Sequence, residues 1–180
     1  MDVGKTHAKV SVWQANGRML RQTTRPNPQS LEEPASLDIE GIAGWLGDQL
    51  RSATGLGRID AIVPVAHGAA AVLLDGDQVV CALDYQSEIP VEIAVAYDAE
   101  RDPFELTLSP RLPGGLNLGA QLFWLDRLYP ALRAGGRLLL WPQFWAWWLS
   151  GEPASEVTSL GCHSDLWRPM DATFSDLALR

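Results

Sequence analysis

Cysteine is scarce: Cys81 and Cys162 are the only two in the chain, and they do not form a CxxC pair. A secreted disulfide framework is excluded, and a reducing, cytoplasmic compartment is expected. Histidine is nearly as rare. His7, His67 and His163 lie in separate segments without ligand-like spacing, which argues against a histidine metal site. Long apolar runs are also missing. The N-terminus has no signal-peptide core, and the most apolar stretch, 138–149, is broken by Pro142 and Gln143, so no membrane partner is expected. Basic charge is short as well: 14 Lys+Arg face 22 Asp+Glu, a net charge of −8. No basic stripe is available to grip a phosphate backbone, so no nucleic acid is expected as a partner.

What is present is the material of a folded domain. The chain has 180 residues, 47% hydrophobic and 20% charged, which excludes disordered and collagen-like classes and suffices for one globular domain.

Residues 7–24 alternate as strands do, with Ala8, Val10 and Val12 on one face and Asn16-Gly17 as a tight turn, and so predict a hairpin. Pro26, Pro28 and Pro34 make 25–36 a loop that ends at Asp38, a good helix N-cap. Ile39, Ile42, Ala43, Leu46 and Leu50 give the following helix one apolar stripe, stopped by Gly55 and Gly57. The continuous apolar run 59–66 predicts a strand buried on both faces. Residues 69–74 and 78–83 flank Asp75-Gly76-Asp77 as a second hairpin, its later strand ending at Asp84-Tyr85. Residues 86–115, with four prolines, read as a long irregular connection interrupted by a short apolar piece at 91–96. A helix is predicted over 116–128, then a short strand at 138–140. A compact helix follows, opened by Pro142 and closed by Gly151, whose tryptophans read as core rather than as a stacking platform for a sugar.

Three groups of residues invite a chemical reading. Gly4-Lys5-Thr6 has the ending of a P-loop, but it runs into a hairpin where a P-loop runs into a helix. A glycine turn between strands can still cradle phosphate with backbone N–H groups, and an adjacent aspartate, Asp2, can hold magnesium through water. The alternative is an ordinary polar strand end, with Lys5 as a solvated lysine. Ser159, Cys162, His163 and Asp165 contain the residue types of a hydrolytic triad, but residues this close in one loop do not converge as a triad must. His67, Asp84 and Asn117 sit at a strand end, a strand end and a helix start, and fit either sugar-hydroxyl contacts or structural roles as a buried histidine, a turn and a cap.

The ordered set resembles a known family. Asp2-Val3-Gly4-Lys5-Thr6 with Lys9 and Asn16-Gly17 looks like the first phosphate loop of the actin-like ATPase superfamily, in particular of the FGGY carbohydrate kinases. Ala66-His67-Gly68 resembles the family's sugar-contacting segment. Residues 81–85, 118–125, 138–151, 156–159 and 165–167 resemble, in the same order, the later segments of its N-terminal sugar-binding half. Residues 113–119 and 160–167 are closest in wording to kinases of L-fuculose or L-rhamnulose.

The resemblance implies an α/β, ribonuclease H-like (actin-like ATPase) domain over 1–180, a mixed β-sheet flanked by helices. It implies ATP and Mg2+ as cofactors, with Asp2, Gly4, Lys5 and Thr6 on the nucleotide side and Asp2 toward the metal. His67, Asp84 and Asn117 fall on the side of a ketose or related sugar. It also implies departures. The strand expected before Asp2 is cut away, and the general base and C-terminal ATP-binding domain are expected beyond Arg180. This chain alone would then be an inactive part of a kinase, left with an open sheet edge that favours aggregation, a homo-oligomer or a partner half. The rival expectation is a non-catalytic remnant, a sugar-binding or scaffold domain.

Overall fold

The computed structural model describes residues 1–28, 30 and 34–180. The chain forms two compact units, Met1–His67 and Gly68–Arg180. Part of the loop predicted over 25–36 lies outside the described residues.

The first unit is a four-stranded mixed sheet and one long helix. The strands are β1 (Asp2–Val3), β2 (His7–Trp13), β3 (Met19–Pro26) and β4 (Val65–Ala66), in the order β3-β2-β1-β4. β1 runs antiparallel to β2 and parallel to β4. The predicted hairpin is present: Gly17, at φ 84°, turns β2 into β3, and the Asn16 side chain accepts from Arg18 N–H at 3.0 Å. The alternation of β2 puts Ala8 and Val10 into the core. Helix α1 (Ile39–Ala53) follows, with Asp38 as its N-cap accepting from Gly41 N–H at 2.9 Å. Its Ile42 and Leu46 are buried as the stripe requires.

β1 is two residues long, Asp2 and Val3, and is paired on both sides. One expectation fails in this unit. The run 59–66 is a strand only at Val65–Ala66, and Val63 and Val65 are 65% and 55% exposed. Pairing needs partner residues, and β1 offers only two, Asp2 to Val65 and Val3 to Ala66. Beyond them, the Met1 amino group donates to Val63 O and the Val65 N–H donates to Met1 O. Apolar content makes a run prefer burial, but only a partner of equal length makes it a strand.

The second unit is built on an antiparallel sheet of β5 (Ala71–Asp75), β6 (Gln78–Cys81) and β7 (Arg137–Leu140), with β5 in the middle. Central β5 is buried from Ala71 to Leu74. The predicted second hairpin is present, with Gly76 at φ 57° in its turn. Helices α2 (Val91–Glu100), α3 (Phe104–Thr107), α4 (Leu118–Leu128), α5 (Trp141–Ser150), α6 (Val157–Leu160) and α7 (Asp176–Leu179) surround it, with a small ribbon of β8 (Trp167–Arg168) and β9 (Thr173–Phe174).

The core joins Leu73, Leu83, Ile93, Trp124 and Leu125, with a second cluster of Ala71, Leu118, Leu140 and Leu166. Trp141, Phe144 and Trp145 pack ring against ring and are buried, as the core reading of the tryptophan cluster requires. Gly151, at φ 76°, ends α5 where predicted. The long connection 86–115 corrects the sequence reading, because it holds α2 and α3. Pro90 precedes α2, whose Ile93 and Tyr97 face inward while Val91 and Val95 are 75% and 64% exposed. Apolar residues on both faces conceal the helical period.

Candidate functional site

The predicted nucleotide-side residues form one continuous feature, the strand end and turn between β1 and β2. Asp2 stands on β1 opposite Lys9, their charged groups 3.9 Å apart and both exposed, so their attraction is weak. Val3 is buried and anchors the strand. Gly4 N–H donates to His7 O at 3.0 Å and closes the turn, and a Cβ on Gly4 would stand 3.1 Å from that same oxygen. Thr6 Oγ1 lies 3.2 Å from His7 Nδ1.

Sequence reasoning passed over Asn27, which holds this turn from behind. Its Nδ2 donates to Gly4 O at 2.9 Å and its backbone N–H to Thr6 O at 2.8 Å. Its Oδ1 accepts from Arg25 Nη1 at 2.6 Å, and Arg25 Nη2 pairs with Asp38 Oδ2 at 2.5 Å. Asp38 in turn caps α1. Only the single amide of Asn27, among pattern-free polar residues, signalled this in the sequence.

Of the residues predicted for the sugar side, His67 directly follows β4 and closes the first unit, half-buried. Asp84 and Asn117 belong to the second unit. Asp84 is 9% exposed, and its Oδ1 accepts from Gln86 N–H at 2.9 Å, a local turn that fixes the carboxylate at the strand end. Asn117 has no exposed surface. Its Oδ1 accepts from Leu112 N–H at 2.7 Å, and its Nδ2 donates to Ser109 Oγ, Pro110 O and His163 O. These bonds tie Asn117 to the 109–112 segment and to the backbone at His163 inside the fold.

The loop that leads to α4 is drawn against Asp84's neighbour: Gly115 N–H donates to Tyr85 O at 3.1 Å. A Cβ on Gly115 would lie 3.2 Å from the same carbonyl. Buried Gln121, which the sequence reading left without a role, donates through Nε2 to Ala69 O and Gly115 O, both at 2.5 Å. It thereby ties the start of β5 to that loop.

Ser159, His163 and Asp165 of the rejected triad have other partners. Ser159 Oγ donates to Glu156, His163 Nδ1 meets Leu116 O, and Asp165 takes Tyr97 Oη and both Arg101 Nε and Nη2. Burial, with the Asp165 hydrogen bond added, pushes the Tyr97 phenol well above its ordinary range. A cavity of about 550 Å³ in the second unit is walled by Leu73, Leu122, Leu125 and Leu138, with Arg127 and Arg133 in its lining, and no predicted site residue borders it. Among the described residues no three of His, Cys, Asp and Glu converge as metal ligands. The donor set at Asp2 is one exposed carboxylate, which suits a magnesium ion that keeps its waters and takes its other ligands from phosphate. Among the described residues no helix is long and apolar enough to cross a membrane.

No family model matches the sequence, and no curated protein matches it. Solved structures do. A carbohydrate kinase from Novosphingobium aromaticivorans is 46% identical, with a TM-score of 0.94 over 99% of this chain and 39% of that one. A ligand-bound xylulose kinase from Lactobacillus acidophilus is 15% identical, with a TM-score of 0.81 over 99% of this chain and 38% of that one. The Plasmodium falciparum glycerol kinase with ADP is 10% identical, with a TM-score of 0.78 over 97% and 38%. The latter two speak to the fold alone. The chain therefore has the α/β fold of the actin-like ATPase kinases, and is similar to a carbohydrate kinase over 39% of that protein's length.

Proposed function

We propose that this chain supplies the first phosphate turn and part of the sugar pocket of an FGGY-type carbohydrate kinase, which transfers the γ-phosphoryl group of ATP to a hydroxyl of a ketose or related sugar. The observation that carries this reading is the 46% identity to a carbohydrate kinase across 99% of the chain, together with the tight glycine turn at Gly4–Thr6.

Each residue has a role set by its chemistry. Gly4 keeps the turn close enough for a phosphate to approach the backbone. Lys5 and Thr6 contribute a cation and a hydroxyl to the phosphates. Asp2 holds magnesium through water, and the ion when bound offsets phosphate charge. Asp84, fixed by its own turn, accepts from sugar hydroxyls, and His67 adds a further hydrogen bond. Asn117 supports this side from within the fold. Such a site works by positioning reactants, so the supporting contacts matter as much as the groups that touch them.

The complete kinase that contains this chain should bind MgATP and show sugar-dependent ATP turnover with a member of a ketose panel that includes L-fuculose, L-rhamnulose and D-xylulose. Absence of turnover with every sugar would sink the kinase reading. Sugar binding by calorimetry without turnover would support instead a non-catalytic sugar-binding domain.

A further inference from the structure

We propose that Asn27 is a positioning residue for nucleotide binding: it sets the orientation of the Gly4–Lys5 peptide, so that the Lys5 N–H is turned toward the phosphate side of the turn. The inference rests on the reading of Gly4–Thr6 as a phosphate turn.

Peptide stereochemistry carries the argument. A trans peptide is planar, with its C=O and N–H pointing in opposite directions. Asn27 Nδ2 takes Gly4 O at 2.9 Å, so the N–H of Lys5, in the same peptide plane, is directed away from Asn27. The backbone N–H of Asn27 takes Thr6 O at 2.8 Å, which holds the other end of the turn on the same side. Two carbonyl oxygens, the groups most repulsive to phosphate, are thereby collected onto one residue.

Asn27 is itself held. Arg25 Nη1 donates to its Oδ1 at 2.6 Å, which fixes which end of the amide is the donor and prevents it from flipping. Arg25 is fixed by Asp38, and Asp38 by the first turn of α1. Gly41 leaves room for this arrangement, since a Cβ there would meet Asp38 Oδ2 and Arg25 Nη2. A chain of hydrogen bonds thus runs from the phosphate turn to the helix cap. Aspartate at position 27 would keep the acceptor for Arg25 but set a carboxylate oxygen against Gly4 O.

The test uses the full chain, titrated with MgADP and followed by amide resonances of residues 4–7, with Lys5→Ala as the direct-contact control. Asn27→Ala and Asn27→Asp should each weaken MgADP about tenfold, the scale of one lost charge-assisted hydrogen bond, while the α1 amides keep their wild-type positions. The Asn27→Asp variant should regain affinity relative to wild type as pH falls through its carboxyl pKa, because the neutral acid can again donate to Gly4 O. A general loss of stability would not produce that recovery. If both variants bind as wild type while Lys5→Ala weakens binding, the positioning role is wrong and the phosphate-turn reading stands. If wild type and Lys5→Ala respond alike or not at all, the phosphate-turn reading falls and takes this proposal with it. Should Asn27→Ala fail to fold, Asn27→Asp and its pH profile decide.

Discussion

Single residues in this protein divide by whether their polar atoms are spent inside the fold or left to face outward. Asn117 is the extreme case: its amide makes four hydrogen bonds with no exposed surface. Asn117→Ala should cost about 3 kcal/mol, since buried partners lose their bonds without gaining water, and a thermal melt would read the loss. An unchanged melting temperature would contradict the clamp. The two cysteines differ in the same sense. Burial pushes the Cys81 thiol up to about 11, against a smaller lowering by its hydrogen bond with the Leu83 backbone, whereas Cys162 is exposed. Because the thiolate is the reactive form, a thiol reagent near neutral pH should label Cys162 quickly and Cys81 only on unfolding. Rapid labelling of both would overturn this. In the sequence Asn117 is legible as a helix-start residue, which it is; that its amide also reaches His163 is not, because 46 positions separate them.

Elements carry their own signals, and the strongest were caps and turns. Asp38 was legible as the start of α1 because a short polar side chain before an apolar stripe satisfies the first N–H groups. Asp38→Ala should cost about 1–2 kcal/mol, through the lost cap and the lost Arg25 pair, measurable by urea unfolding. Glu156 caps α6, and hydrogen bonds from the Ser159 and Thr158 side chains, then from their N–H groups, outweigh burial and hold its carboxyl down to about 2. A carboxyl lowered on folding stabilises above its unfolded value of 4.5, and that contribution is lost as pH falls from there toward 2. Glu156→Gln should therefore flatten the acid limb of the stability curve in that window and leave its shape near neutrality unchanged; an identical acid limb would refute the assignment. α4 has a tighter constraint. A Cβ on Gly119 would lie 2.9 Å from Ser164 O and 3.0 Å from Leu177 Cδ2, so Gly119→Ala should destabilise by about 1–3 kcal/mol despite its better helix propensity. Helix α2 escaped the sequence reading because Val91 and Val95 on its outer face mask the inward pair Ile93 and Tyr97.

At the scale of the whole molecule, the edge formed by 59–66 is the conspicuous feature: Ile59, Ile62, Val63 and Val65 are all substantially exposed, beside a strand paired over only two residues. Exposed apolar residues at a short edge strand favour self-association. Light scattering of the chain should rise with concentration, and Val63→Lys should lower it; a monodisperse monomer at every concentration would contradict this.

What the sequence by itself determined is what depends on a few adjacent residues. The Gly17 and Gly76 turns need φ above zero, α1 is bounded by a cap and α5 by a glycine stop, and Trp141 and Trp145 of α5 are buried. The order of the Asp2–Thr6, His67 and Asp84 segments was enough to suggest a carbohydrate kinase. Only the tertiary structure decided how those segments are held. Asn27 reaches Gly4 across 23 positions and Gln121 reaches Ala69 across 52, and neither residue has a local pattern that announces its partner. A buried amide takes whatever donor and acceptor the folded chain brings to it, and that pairing exists only once the sheets and helices have packed.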